Sequence, residues 1–170
     1  VTVTAANGCT DTESITTTLN TTAPTAGITN NTGSTEVNCT NPAISVTATG
    51  GGTYAWSGGL GAAANASITS AGTFTVTVTA ANGCTDTESI TTTLNTTAPT
   101  AGITNNTGST EVNCTNPAIS VTATGGGTYA WSGGLGAAAN ASITSAGTFT
   151  VTVTAANGCT DTEQITTTLD

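Results

Sequence analysis

Residues 1–75 and 76–150 are identical, and residues 151–170 begin a third copy that differs from the second at two places, with Gln164 in place of Ser89 and Asp170 in place of Asn95. Whatever the first 75 residues fold into, the next 75 can fold into again. The period exceeds that of solenoid units, which run about 20–45 residues. It is enough for one small sandwich, although a core that size is marginal by surface-to-volume scaling. The chain therefore reads as a tandem array of one domain.

Within the period, Gly72–Asn95 carries the clearest local signal. Phe74, Val76 and Val78 alternate with Thr75, Thr77 and Thr79, the period of two of a half-buried β-strand. Thr suits the outward positions, because its branched Cβ favours extended backbone while its hydroxyl faces water. Asn82-Gly83 predicts a tight hairpin turn with positive φ angles, and Ile90–Leu94 is the returning strand. Further short strands are predicted over residues 26–29, 35–39, 43–49, 53–56 and 64–69, separated by Gly-, Asn- and Pro-containing turns. About seven strands with turns every ~8–12 residues is a sandwich pattern, so the fold class is all-β. The predicted core is Ile28, Val37, Ile44, Val46, Tyr54, Trp56, Leu60, Ile68, Phe74, Val76, Val78, Ile90 and Leu94.

Asn95–Gly102 has linker composition, and Pro99 interrupts strand pairing. Cutting there gives domains 21–95 and 96–170. Residues 1–20 are then expected to be the closing hairpin of a truncated preceding repeat. A lone hairpin is unstable in water, so the chain is expected to be an excerpt of a longer array whose partners are neighbouring identical repeats.

The chain has no Lys, Arg or His and carries a formal charge of −9. Without cations it cannot neutralise phosphates, which argues against nucleic acid as a partner, and it has no attraction to an anionic membrane surface. No apolar run approaches the ~18 residues of a membrane span, so direct membrane insertion is not expected. Nucleophile, base and orienter do not occur together, and no enzyme activity or catalytic residue is expected.

Tyr54-Ala-Trp56-Ser-Gly-Gly59 followed by the alternating Gly72–Glu88 segment resembles the Ig-like and PKD-like repeats of very large bacterial surface proteins. The similarity is greatest to Bacteroidetes gliding-motility adhesins of the SprB type, and it covers both domains. A Trp between two cysteines, Cys39–Trp56–Cys84, matches the Ig pattern, whereas the tyrosine near the start of the penultimate strand is missing. The resemblance implies type IX secretion, an extracellular place on or near the outer membrane, and a role in adhesion or movement. Glycans or solid surfaces would be met through other regions of such a protein.

Each domain holds two cysteines, Cys39 with Cys84 and Cys114 with Cys159, while Cys9 lacks a partner in its own truncated repeat. Paired cysteines in a surface-type chain read as disulfides. Two thiols without a His make a poor zinc site. The expected bonds are intra-domain, Cys39–Cys84 and Cys114–Cys159, because disulfides between tandem sandwiches are rare. The alternative is an inter-domain bond Cys39–Cys159, since the two cysteines of one regular sandwich fall at its opposite ends.

Asp86 and Glu88, with Asp161 and Glu163, stand two apart on one strand face. They are weak candidates for a Ca²⁺ site at a domain junction, set against a solvated acidic edge that discourages aggregation. No cofactor is otherwise expected. Asn20, Asn30, Asn38 and Asn65 fit N-x-Ser/Thr, as chance matches in an Asn/Thr-rich chain. Gly50–Gly52 is a turn and not a phosphate loop, because no helix or Lys follows it.

Overall fold

The structure is a computed structural model and describes all 170 residues. It contains sixteen strands and no helix. A separate hairpin comes first, β1 (Thr2–Thr4) and β2 (Thr10–Thr12). The first full repeat supplies β3 (Gly27–Asn30), β4 (Glu36–Asn38), β5 (Ile44–Thr49), β6 (Thr53–Trp56), β7 (Asn65–Ile68), β8 (Gly72–Thr79) and β9 (Thr85–Asn95). The second supplies β10 (Gly102–Asn105), β11 (Glu111–Val112), β12 (Ile119–Thr124), β13 (Thr128–Trp131), β14 (Asn140–Ile143), β15 (Gly147–Thr154) and β16 (Thr160–Leu169).

Each repeat forms two sheets. In the first, β3-β5-β7 is one sheet and β4-β9-β8-β6 the other; β10-β12-β14 and β11-β16-β15-β13 repeat the arrangement. The opening strand region is divided between the sheets. β3 pairs antiparallel with β5, whereas β4 crosses over to pair parallel with the last strand, β9. The core lies between the sheets. Ile44, Val46, Ala48 and Ile68 come from one inner face, and Val37, Trp56, Phe74 and Val76 from the other. Alternation of apolar and Thr residues in β5 and β8 makes this possible, since every second side chain reaches the same face. The result is an all-β pair of tandem Ig-like sandwiches with seven strands each.

Twelve of the thirteen predicted core residues are buried or packed against the core, with Ile28, Tyr54, Leu60 and Ile90 half-buried. Leu94 is the exception, at 52% exposed. It keeps the inward face of β9, two residues beyond the buried Thr92, but lies past the last buried layer at the sandwich rim. Thr92 was not predicted. Its hydroxyl is satisfied by the Ser70 carbonyl at 2.7 Å, so burial leaves no orphan donor. The returning strand is also longer than Ile90–Leu94, because β9 starts at Thr85 and its polar first half pairs with β8 in register, Val78 opposite Asp86 and Val76 opposite Glu88.

The hairpin turn differs from the expected one. No residue other than Gly has positive φ, so Asn82 is not left-handed, whereas Gly83 is (φ 82°). Gly83 N–H donates to the Ala80 carbonyl and Ala80 N–H to the Cys84 carbonyl, both at 2.9 Å. This is the three-residue hairpin built on a type I turn with a glycine closing it.

Residues 1–20 show how far burial depends on the surrounding sandwich. Val76 and Val78 are completely buried, while their copies Val1 and Val3 are 86% and 62% exposed. Ile15 and Leu19 are 90% and 88% exposed. Replacing Ile44 with Ala should therefore lower the unfolding free energy of its sandwich by about 2–5 kcal/mol. Ile15→Ala should leave it within about 0.5 kcal/mol. Urea unfolding of the two variants checks the contrast.

Candidate functional site: the joint between repeats

The features that could carry function gather where the first sandwich meets the second. They follow from the path of β9. Asn38 lies opposite Asn95 at the C-terminal end of this 11-residue strand, and Cys84 immediately precedes its first residue. At about 3.3 Å per residue, the two ends stand roughly 30 Å apart. A disulfide needs Cα atoms within about 7 Å. The expected intra-domain bonds Cys39–Cys84 and Cys114–Cys159 therefore do not form.

Cys39 is joined instead to Cys159, with the Cα atoms 5.0 Å apart. The C-terminal end of the first sandwich presents the loop after β4, and the N-terminal end of the second presents the β15–β16 turn. Cys9, Cys84 and Cys114 are free thiols. Closing a loop between residues 120 apart in sequence removes on the order of 4–5 kcal/mol of unfolded-chain entropy in the loop-closure model.

Hydrogen bonds set both halves of the joint. In the Cys39 loop, Asn38 Oδ1 accepts from the N–H groups of Thr40 and Asn41 at 3.1 and 2.8 Å. This local bracing is typical of Asn in turns. In the Cys159 turn, Asn157 Oδ1 accepts from Cys159 N–H at 3.0 Å. The Asn157 amide donates to the Asn95 carbonyl, Asn95 Oδ1 and the Thr97 carbonyl at 3.3, 2.9 and 2.9 Å. The linker is thus clamped against the turn that carries Cys159. Thr40 N–H donates to the Asn157 carbonyl across the joint at 3.3 Å. A Cβ on Gly158 would overlap Thr40 Oγ1, whereas one on Gly83, the same residue a period earlier, would meet nothing. Cys159 is 3% exposed.

The acidic candidates lie at the N-terminal end of each sandwich, so Asp161 and Glu163 are on the joint side of the second sandwich and Asp86 and Glu88 at the far end of the first. Asp86 and Glu88 share a face, as expected. Asp86 Oδ2 accepts from Ala26 N–H at 2.8 Å, and Asp161 Oδ2 from Ala101 N–H at 2.9 Å. Each aspartate thereby fixes the start of its first strand, just beyond the linker. Glu88 and Glu163 are exposed. A Ca²⁺ ion takes six to eight oxygens, and one aspartate oxygen of each pair is already committed to the backbone. Asn20, Asn30, Asn38 and Asn65 are likewise engaged, with Asn82, Ser34, the Thr40–Asn41 turn and Thr47 respectively.

The sequence points to Cys39, Cys84, Cys114 and Cys159 and to the acidic residues, but not to Asn157, Thr40 or Gly158. Asn157 was legible only as half of an Asn-Gly turn. Its hold on the linker depends on residues 60–62 positions away.

No protein-family model matches the chain, and no curated protein does. A matching solved structure is that of the N-terminal four Ig domains of Dscam1 isoform 6.44. It is 15% identical, with a TM-score of 0.32, over 96% of this chain and 52% of that chain. The chain therefore spans about half the length of that fragment. The Ig-like assignment rests on the sheets themselves and not on this likeness.

Two outcomes follow. Cleavage after acidic residues, with free thiols blocked and no reductant, releases residues 37–86 and 112–161, whose sequences are identical. The Cys39–Cys159 bond holds these two peptides together at twice the single mass, whereas intra-domain bonds would release them singly; mass spectrometry distinguishes the two. The second outcome concerns pH. The Ala26 N–H, and next that of Thr87, hold the Asp86 carboxyl below its ordinary value of 3.8, and Ala101 and Thr162 do the same for Asp161. A depressed folded-state pKa contributes stability above the unfolded value that is lost as pH falls through the folded one. Asp86→Asn with Asp161→Asn should lower the melting temperature at neutral pH and flatten its decline below about pH 3.8. Calorimetry from pH 7 to about pH 2 checks this.

Proposed function

We propose that this chain is a stalk segment of a large secreted bacterial surface adhesin, in which stiffly joined sandwiches hold a distal binding region away from the cell. The observation that carries the reading is the covalent joint. Tandem domains on a free linker reorient, whereas here the linker is clamped by Asn157 and bridged by Cys39–Cys159. Each repeat adds at most about 30–35 Å, the length of a strand of about ten residues. Disulfides persist in oxidising compartments, which fits an extracellular place. No helix is long and apolar enough to cross a membrane. The resemblance to gliding-motility adhesins extends the reading to type IX export and a part in surface movement.

The work assigned to the segment is mechanical, with no catalytic step and no cofactor. A glycan-binding module would want aromatic rings facing solvent. Trp56 and Phe74 are buried here, and Tyr54 packs against the same core, as do their copies. The Trp56 indole N–H is spent on the Ala63 carbonyl at 3.0 Å. The stalk is therefore the better-supported reading.

Spin labels on exposed threonines of the two sandwiches test it. The inter-repeat distance distribution should be narrow in the oxidised chain and should broaden several-fold on reduction or in Cys39→Ser, with both sandwiches still folded. Equal breadth in the two states would remove the stiff joint on which the stalk reading depends.

A further inference from the structure

The halves of the observed joint recur without a partner, the Cys39 loop once, at Cys114, and the Cys159 turn twice, at Cys84 and Cys9. Cys114 is exposed in the second copy of the Cys39 loop, at the C-terminal end of the second sandwich. There Asn113 Oδ1 accepts from Thr115 and Asn116 N–H at 3.0 and 2.8 Å, and Asn113 N–H donates to the Asn116 carbonyl at 3.0 Å. The corresponding bonds of the Cys39 loop measure 3.1, 2.8 and 2.9 Å.

Cys84 sits in the earlier copy of the Cys159 turn, at the N-terminal end of the first sandwich. The turn closes through Gly83 to Ala80 and Ala80 to Cys84, with Cys84 N–H on Asn82 Oδ1 at 3.0 Å. Asn82 clamps Asn20 and Thr22 as Asn157 clamps Asn95 and Thr97. Even the Cys9 turn, in a hairpin outside either sandwich, has Cys9 N–H on Asn7 Oδ1 at 3.1 Å. Both halves of the joint therefore hold their bonded geometry before any bond is made, which lowers the cost of making one.

We propose that Cys114 and Cys84 are the open halves of further joints of the Cys39–Cys159 kind, and that the partner of each is another copy of this repeat. Cys114 takes the cysteine of a β15–β16-type turn, and Cys84 takes the cysteine of a β4–β5-type loop. They do not bond each other, because they lie at opposite ends of two joined sandwiches. Each new bond converts two thiols to one disulfide. Two electrons and two protons pass to a disulfide oxidant such as oxidised glutathione, which leaves as two glutathione thiols.

The covalent loops then overlap. Cys84 and Cys114 both lie inside the loop closed by Cys39 and Cys159, so a bond at either begins within one loop and ends in the next. Tension along such an array passes from Cys39 through sulfur to Cys159 and bypasses the chain between them. In an oxidised array only the stretch from Cys84 to Cys114, which links one bond to the next, would remain in the load path, and the rest of that interior would not lengthen the array by unfolding. A single bond shields only the chain between its own two cysteines, whereas an overlapping series places every repeat inside such a loop.

The inference rests on the stalk reading, and its test separates the two. The chain is lengthened by one more copy of the 75-residue period, folded in a glutathione redox buffer, and its free thiols are counted by alkylation and mass spectrometry. The present chain has three, Cys9, Cys84 and Cys114. The lengthened chain should again have three, since Cys114 and one cysteine of the added copy are consumed together. Cys114→Ser in that chain should expose one new thiol, in the added copy. Five free thiols, with Cys39–Cys159 intact, would overturn the repeated joint and leave the stalk standing. A single free thiol would mean pairing within repeats and would overturn both.

Discussion

No side chain in this protein carries positive charge, and the rest of the structure is shaped by that constraint. Cohesion has to come from apolar burial and from neutral or backbone donors. The apolar part is a thin layer between two sheets, led by the completely buried Ile44, Val46, Ile68, Val76 and Val78. Where an acid needs a partner, the backbone supplies it, as Ala26 N–H does for Asp86. Asn does the bracing that ion pairs do elsewhere, fixing the Cys39 loop, the Cys159 turn and the linker between them. A core this small gains most from a covalent constraint on the unfolded chain, and Cys39–Cys159 supplies one that spans two domains at once.

Identical sequence in different surroundings separates local from tertiary causes. The turns at residues 5–9, 80–84 and 155–159 keep the same internal hydrogen bonds, so Ala-Ala-Asn-Gly-Cys encodes its conformation locally. Burial is not encoded in that way. Val1 is exposed and Val76 is buried, because only Val76 has a facing sheet. The joint uses both kinds of cause. Its parts are made by short-range bonds, and their meeting is produced by the span of β9 and the clamp on the linker.

Strand number, hairpin positions and most of the core were legible in the sequence, because alternation of Val or Ile with Thr has one physical reading when one face must be buried. The misses lie where that signal is weak. The first half of β9 is Thr, Asp and Glu, so its pairing with β8 leaves no hydrophobic trace. Thr92 is buried because the Ser70 carbonyl lies beside it, a contact between residues 22 apart. Leu94 fits the alternation and still faces solvent, since periodicity reports a face and not where the opposing sheet ends.

The sequence alone determined that one unit recurs every 75 residues, that it is built of strands, and that its cysteines come two to a repeat. Tertiary structure decided which cysteines meet. Spacing could not do so, because Cys39 and Cys84 are closer in sequence than Cys39 and Cys159 and yet are held apart by the length of β9. A strand is a rigid spacer, so the two cysteines of one repeat face opposite neighbours, and the bond within reach is the one to the next repeat.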